Sequence, residues 1–263
     1  MTIDPEKPKS LEERSTGELF EDTLEGDYDD DGPWKAVWQL HKRGTPEVFQ
    51  IAVEFCNSKN PVQRQRGLDV MGQFGQKFPN DGGELLYFDE RVSFAIELLK
   101  DEEPRVVSSA AWALAHLQGD RAITALIGVR DNGDPHVRHA VAHGLGFKNR
   151  PEAIQTLIGL MEDTDDDVRD WATFGLGWST ADSPQIRDVF RRNLNDTFLD
   201  VRQEAIWGLA LRKDPQGLRL LLEQLEDDVW AEGDEWAACE ILALPYDTPV
   251  EDLRKRLRQI LDL

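Results

Sequence analysis

The sequence predicts an all-α solenoid of about six to seven stacked helix pairs, and three observations carry that expectation. First, a segment recurs. DPHVRHAVAHGLG (134–146), DDDVRDWATFGLG (165–177) and FLDVRQEAIWGLA (198–210) align without gaps, and EPRVVSSAAWALA (103–115) joins them at the same offset. NPVQRQRGLDVMG (60–72) and the stretches around GPWKAVWQL and GDEWAACEILA fit more loosely. Second, with the Val of the Val-Arg pair as position zero, apolar residues fall at zero, plus four and plus eight and small ones at plus seven, a helical period rather than an alternation. Third, the plus-eight residues Leu40, Met71, Leu114, Leu145, Leu176, Leu209 and Leu242 are spaced by 31, 43, 31, 31, 33 and 33. A helix pair of that length cannot bury its own apolar face and must stack on its neighbours.

Residues 1–32 stand apart. They carry 12 acidic side chains against three basic ones, so nearly half of the net charge of -21 sits in one eighth of the 263 residues. Such a segment buries too little apolar surface to order itself, although Leu19, Phe20 and Leu24 could dock a short helix onto a neighbour. The expectation is a largely flexible acidic arm ending at Gly32-Pro33, then a solenoid over 33–263. Within the solenoid the recurring segment is the second helix of each pair, and TPEVFQIAVEFC (45–56) or PEAIQTLIGLMED (151–163) is a first helix. Asp or Asn ahead of the Val-Arg pair (Asn60, Asp134, Asp165, Asp167, Asp200) can cap the exposed amides. Plus four must be small where helices of adjacent pairs cross closely, and Ala36, Gly67, Ala110, Val141, Ala172, Ala205 and Ala238 occupy it. The one long step contains QKFPNDGGELLYF, whose Pro79 and Gly82-Gly83 mark a loop inserted near 78–88.

The charge excludes whole function classes. A chain with 51 acids, 30 bases and a pI near 4.6 repels phosphate backbones and anionic membrane surfaces, so neither nucleic acid nor membrane is an expected partner. No run approaches the roughly 18–20 apolar residues of a membrane span, and MTIDPEKPKS lacks the start of a signal peptide. A cytoplasmic protein is expected. Cys56 and Cys239 lie in apolar segments and read as buried, inert thiols.

The pattern Asp-x-x-Val-Arg-x-x-Ala-x-x-x-Leu-Gly resembles the HEAT-repeat family, most closely its short bacterial branch named after the phycobilisome lyases. The resemblance spans roughly 33–263 and is strong over 101–227. It implies a right-handed α/α superhelix, armadillo-like, whose second helices line the concave surface. In that family the Arg after Val reaches an Asp at the end of the preceding helix, making a ladder along the array. The matching positions are Arg64, Arg138, Arg169 and Arg202, with Asp101, Asp131, Asp163, Asp196 and Asp227. Val107 and Glu235 stand where two further Arg would be. The ladder reads as structural.

On the second helices, plus two and plus six point away from the stack. Plus six reads Trp38, Asp69, Trp112, His143, Phe174, Trp207 and Glu240, and plus two reads Trp34, Gln65, Ser108, His139, Asp170, Gln203 and Trp236. With Trp178 at plus ten on the edge, six of eight tryptophans fall on this face. Such a stripe has the composition of an interaction surface, unless neighbouring side chains simply pack on one another. Carboxylates at Asp69, Asp170 and Glu240 interrupt it and suit a basic or Arg-bearing partner. Trp38, Trp112, His139, His143, Asp170, Phe174, Trp178, Gln203, Trp207 and Trp236 are therefore the candidate partner-binding residues of a non-enzymatic, monomeric adaptor, scaffold or inhibitor without a cofactor. Three alternatives stand beside this: a bilin lyase or chromophore chaperone, as the named relatives suggest; an acidic immunity-type protein masking a cationic toxin; and a metal site, for which His139 and His143, four apart, are the weak candidates. No GxxxxGK[ST], GxSxG, HExxH or CxxC occurs.

Overall fold

The structure, a computed structural model, describes residues 9–28, 30–74, 86–227 and 232–262. Among these residues there are fifteen α-helices and no strand, so the chain is an all-α solenoid as the repeat requires. Two compact units divide it, residues 1–129 and 130–263. The first holds α1 (Thr16–Asp22), α2 (Asp31–Arg43), α3 (Pro46–Cys56), α4 (Pro61–Gln73), α5 (Phe88–Leu98), α6 (Pro104–Leu117) and α7 (Gly119–Gly128). The second holds α8 (Pro135–Leu145), α9 (Pro151–Leu160), α10 (Asp166–Gly177), α11 (Pro184–Asn193), α12 (Leu199–Leu211), α13 (Pro215–Glu226), α14 (Glu232–Leu242) and α15 (Val250–Ile260).

Within each unit the second helices pack on one another, α2 on α4 on α6 and α8 on α10 on α12 on α14, with the odd-numbered helices behind them. The register follows the repeat. Leu40, Met71, Leu114, Leu145, Leu176 and Leu209 at plus eight are buried, as are all seven small residues at plus four. Helix starts follow the local sequence too: Pro opens α3, α4, α6, α8, α9, α11 and α13, and Thr45, Asn60, Asp134 and Asp165 cap their helices by side-chain oxygen. Asp167 and Asp200 lie two residues too late to cap and sit inside the first turns of α10 and α12. At the α8–α10 crossing, a Cβ on Gly175 would stand 2.7 Å from the Cα of Gly146, and Phe147 N–H donates to the Gly175 carbonyl at 2.9 Å. Backbone meets backbone there, which only glycine permits.

The N-terminal segment differs from its expectation as a flexible arm. From residue 9 onward it is built into the first unit, and α1 is the first helix of a regular pair with α2. Ser15 and Glu18 form a reciprocal capping box at its start. Leu19 and Phe20 are buried, with Phe20 4.8 Å from Phe55 between ring centroids. Thr16 donates to Glu47 at 2.7 Å, and the Arg43 guanidinium holds the Leu11, Glu12 and Arg14 carbonyls. Average composition hid this because the two apolar residues lie side by side on one short helix amid charges that mostly face out. Residues 1–8 and Asp29 lie outside the described residues, as does the inserted loop apart from residues 86–88.

The arginine ladder forms, but its rungs run forward rather than back. Arg64 holds Asp101 through two hydrogen bonds of 2.7 and 2.8 Å, Arg138 holds Asp163 through two of 2.7 Å, and Arg169 holds Asp196 at 2.8 and 2.9 Å. Each partner ends the first helix of the following pair. The third donor of each Arg binds carbonyls of its own preceding turn: Ser58 and Lys59 for Arg64, Asn132 and Gly133 for Arg138, Asp163 for Arg169. The same carboxylates accept from backbone amides two residues on, at Glu103, Asp165 and Phe198, so each rung also closes a turn. Among the described residues Arg202 keeps only the carbonyl half, on Asp196 and Thr197, and Asp131 pairs with the adjacent Arg130. Two further arginines, absent from any repeat pattern, are buried as helix-end caps. Arg91 donates to the Met71 and Gly72 carbonyls at the end of α4, and Arg212 to those of Leu176 and Gly177 at the end of α10.

Candidate functional site

In the first unit the outward columns do not form an open stripe. Trp38 is 56% exposed. Asp69, expected as an outward carboxylate, is instead enclosed, its side chain 4% exposed. Arg66, at plus three, pairs with it at 3.3 Å and lays its guanidinium 4.5 Å from the Tyr28 ring centroid and 5.6 Å from that of Trp34. Tyr28 hydroxyl donates to Asp69 at 3.4 Å. Burial pushes the Asp69 carboxyl up to about 6 against these partners. Trp112 is half-buried, 6.1 Å from the His116 ring, and both line a cavity of about 250 Å³ that also touches Trp34, His41 and Asp69. His41 is held neutral there, burial lowering it to about 4.

The second unit gathers most of the other candidates into one run of rings. His139 and His143 lie 5.5 and 4.9 Å from Trp171, Trp171 stands edge-on to Phe174 at 5.8 Å, Phe174 lies 6.4 Å from Trp178, and Trp178 stacks on Trp236 at 4.2 Å. Phe147 joins at Phe174 and Tyr246 at Trp236. Phe147, Trp236 and Tyr246 are exposed; the rings between them are half-buried by one another. Mutual packing, the alternative to a bare stripe, thus accounts for part of the run and leaves its ends open.

Two carboxyls sit inside this run. Asp170, Phe174 and Trp178 share one face of α10 at i, i+4 and i+8, and Glu204 approaches from α12. Asp170 Oδ1 and Glu204 Oε2 are buried with no hydrogen-bond partner among the described residues. Burial, then Asp200 and Asp167, push Asp170 up to about 6; burial, then Asp170 and Asp200, push Glu204 up to about 8. Glu204 is therefore largely protonated at neutral pH.

Gln203 and Trp207 behave differently from the rest. Both donate to the buried Asp234, at 2.6 and 2.8 Å, so their polar ends tie α12 to α14. Trp171 and Glu204 escaped the sequence reading because both stand at plus three. At 100° per residue that position lies only about 20° from plus ten, where Trp178 was recognised, so the helical wheel held the signal. His139 and His143 turn toward Trp171, and burial lowers both imidazoles. No group of three or more His, Cys, Asp or Glu among the described residues is placed to hold a metal ion. No helix among them is long and apolar enough to cross a membrane.

The family model for HEAT repeats matches residues 92–177 and 160–243, more than half of the chain. This chain is a HEAT-repeat protein. Among solved structures, the HEAT-repeat array here is similar to YibA of Escherichia coli, with a TM-score of 0.73 at 24% identity, covering 98% of this chain and 99% of that one. It is also similar to an archaeal HEAT-like repeats protein from Thermococcus onnurineus (TM-score 0.53, 14% identity, 94% and 98% covered) and to the complex of CpcE and CpcF of phycocyanin lyase from Nostoc (TM-score 0.52, 16% identity, 100% and 97% covered). At these identities the likeness speaks for the fold alone. No curated protein matches the sequence.

Proposed function

We propose that this HEAT-repeat protein is a non-enzymatic binding module that grips a basic, Arg-bearing protein or peptide on the second-helix face of residues 130–263, as an adaptor, scaffold or inhibitor. The observation that carries the reading is the ring run from His139 to Tyr246 with two carboxyls lodged in it. A continuous aromatic surface open at Phe147, Trp236 and Tyr246 supplies large, stiff contact area, the material of binding hot spots. Carboxyls among aromatic rings attract cations through both charge and ring quadrupole. Repeat arrays of this kind offer extended surfaces for polypeptides.

The test is replacement of Phe174, Trp178 and Trp236 together by Ala. A partner captured from the native cell by the wild-type protein is expected to bind the triple variant at least 100-fold more weakly, with the helical circular dichroism retained. Undiminished affinity would remove this face from consideration as the binding site.

A further inference from the structure

Residues 1–129 hold a worked instance of the chemistry that residues 130–263 present outward. Arg66 rests against Tyr28 and Trp34 and pairs with Asp69, and the ion pair is almost wholly enclosed, with side-chain exposures of 3% and 4%. Two rings, one carboxylate and one guanidinium make a closed set. At the same plus-three position, α10 and α12 carry Trp171 and Glu204 rather than arginine. Around them stand Asp170, Phe174 and Trp178, which are again rings and carboxyls. Asp200 and Asp167 act on Asp170, and Asp170 and Asp200 act on Glu204, all of one sign; the Trp178 side chain weighs against them at Glu204, yet one buried oxygen of each carboxyl has no hydrogen-bond partner among the described residues. A buried acceptor without a donor costs free energy that a cation with several N–H groups recovers. Guanidinium suits the place better than ammonium: it is planar, stacks on rings, offers five donors in a fixed fork and is weakly hydrated.

We propose that Asp170 and Glu204, beside the Phe174 and Trp178 that share a helix face with Asp170, form a subsite that takes one arginine side chain of the partner polypeptide, as Tyr28, Trp34 and Asp69 take Arg66. This rests on the reading of the face as a protein-binding surface and names what that surface recognises. Binding fixes both carboxyls as carboxylates, so the arginine competes with the proton that Glu204 otherwise keeps in the company of Asp170 and Asp200, and at neutral pH a proton leaves as the arginine enters.

The experiment titrates the full-length protein with hexa-arginine and hexa-lysine peptides, followed by tryptophan fluorescence at fixed salt. The wild type is expected to bind hexa-arginine several-fold more tightly than hexa-lysine, with the difference growing from pH 6 to pH 9. Asp170→Asn/Glu204→Gln is isosteric and is expected to lose at least tenfold in hexa-arginine affinity and to lose the preference for arginine. Glu204→Gln alone is expected to lose the pH dependence. Glu102→Gln/Glu103→Gln removes two carboxylates from exposed positions and is expected to bind hexa-arginine within twofold of wild type. Equal affinity for the two peptides, or an unchanged affinity in Asp170→Asn/Glu204→Gln, overturns the subsite. The face as a whole is refuted separately, by a Phe174, Trp178 and Trp236 variant that keeps its natural partner.

Discussion

Glu204 shows how a single side chain changes meaning between sequence and structure. In the sequence it is one of 51 acids; in the fold it is a largely neutral carboxyl among rings, raised to about 8 by burial and by Asp170 and Asp200. A carboxyl raised in this way favours the folded state where it is protonated in both states, below its unfolded value, and that contribution is lost as pH rises through the folded value. The urea midpoint of the unliganded protein should therefore fall between pH 5 and pH 8. Glu204→Gln should be indistinguishable from wild type near pH 4.5 and more stable at pH 8, by a few kcal/mol at about 1.4 kcal/mol per pKa unit. A constant difference between the two proteins across that range would mean that Glu204 ionises freely. Asp69 makes the opposite case: expected as an exposed acid, it is spent on Arg66 and Tyr28 inside the first unit, because the preceding turn of its own helix and the N-terminal segment both close over it.

Among the elements, the forward ladder does most to set the stack. Each rung is a bidentate pair, and its arginine also closes its own turn by carbonyl contacts, so one side chain orders two loops. Arg169 and Asp196 are each 11% exposed, which puts the pair in the regime where removing one partner strands the other. Arg169→Ala is expected to cost about 3 kcal/mol in urea unfolding. A double-mutant cycle with Asp196→Ala should return a coupling of about 1–2 kcal/mol, and a coupling near zero would reduce the rung to ornament. Arg169 holds the Asp196 carboxyl below the usual range, so this support is present above the unfolded pKa and disappears on acidification. The resemblance to the HEAT-repeat family implied the ladder, and three of its arginines, Arg64, Arg138 and Arg169, make it, yet its direction was not legible: a fixed offset says which residues recur, while the reach of a guanidinium across a crossing decides which neighbour it meets. Helix α1 was legible only as the docking of Leu19 and Phe20, not as a member of the repeat. Seven residues are too few to show a period, and its stability comes from Phe55 and Glu47, both more than 25 residues away.

For the molecule as a whole, the repeat arithmetic gives way to two compact units, and the N-terminal segment belongs to the first of them. Removing residues 1–22 strips α1 from α2 and α3 and uncovers Phe55. With roughly 1.5–3 kcal/mol for each buried apolar side chain, loss of Leu19 and Phe20 should lower the thermal midpoint of residues 1–129 by several degrees in calorimetry. An unchanged melting profile would return the segment to the status of a dispensable arm. The acidic excess likewise divides by use. Part of it closes turns and ladder rungs, part is enclosed at Asp69 and Asp234, and Asp170 and Glu204 remain turned into the aromatic run without a cation among the described residues.

The repeat sequence determined the helices, their pairing, their inward register and the columns from which a binding face is drawn, because those follow from apolar period, small residues at crossings and local caps. Tertiary contact determined which outward residues are free. Gln203 and Trp207 are taken by Asp234, Asp69 is taken by Arg66, and the Asp170–Glu204 pair arises from two helices meeting at positions 34 residues apart, a juxtaposition that depends on how the turns between them fold.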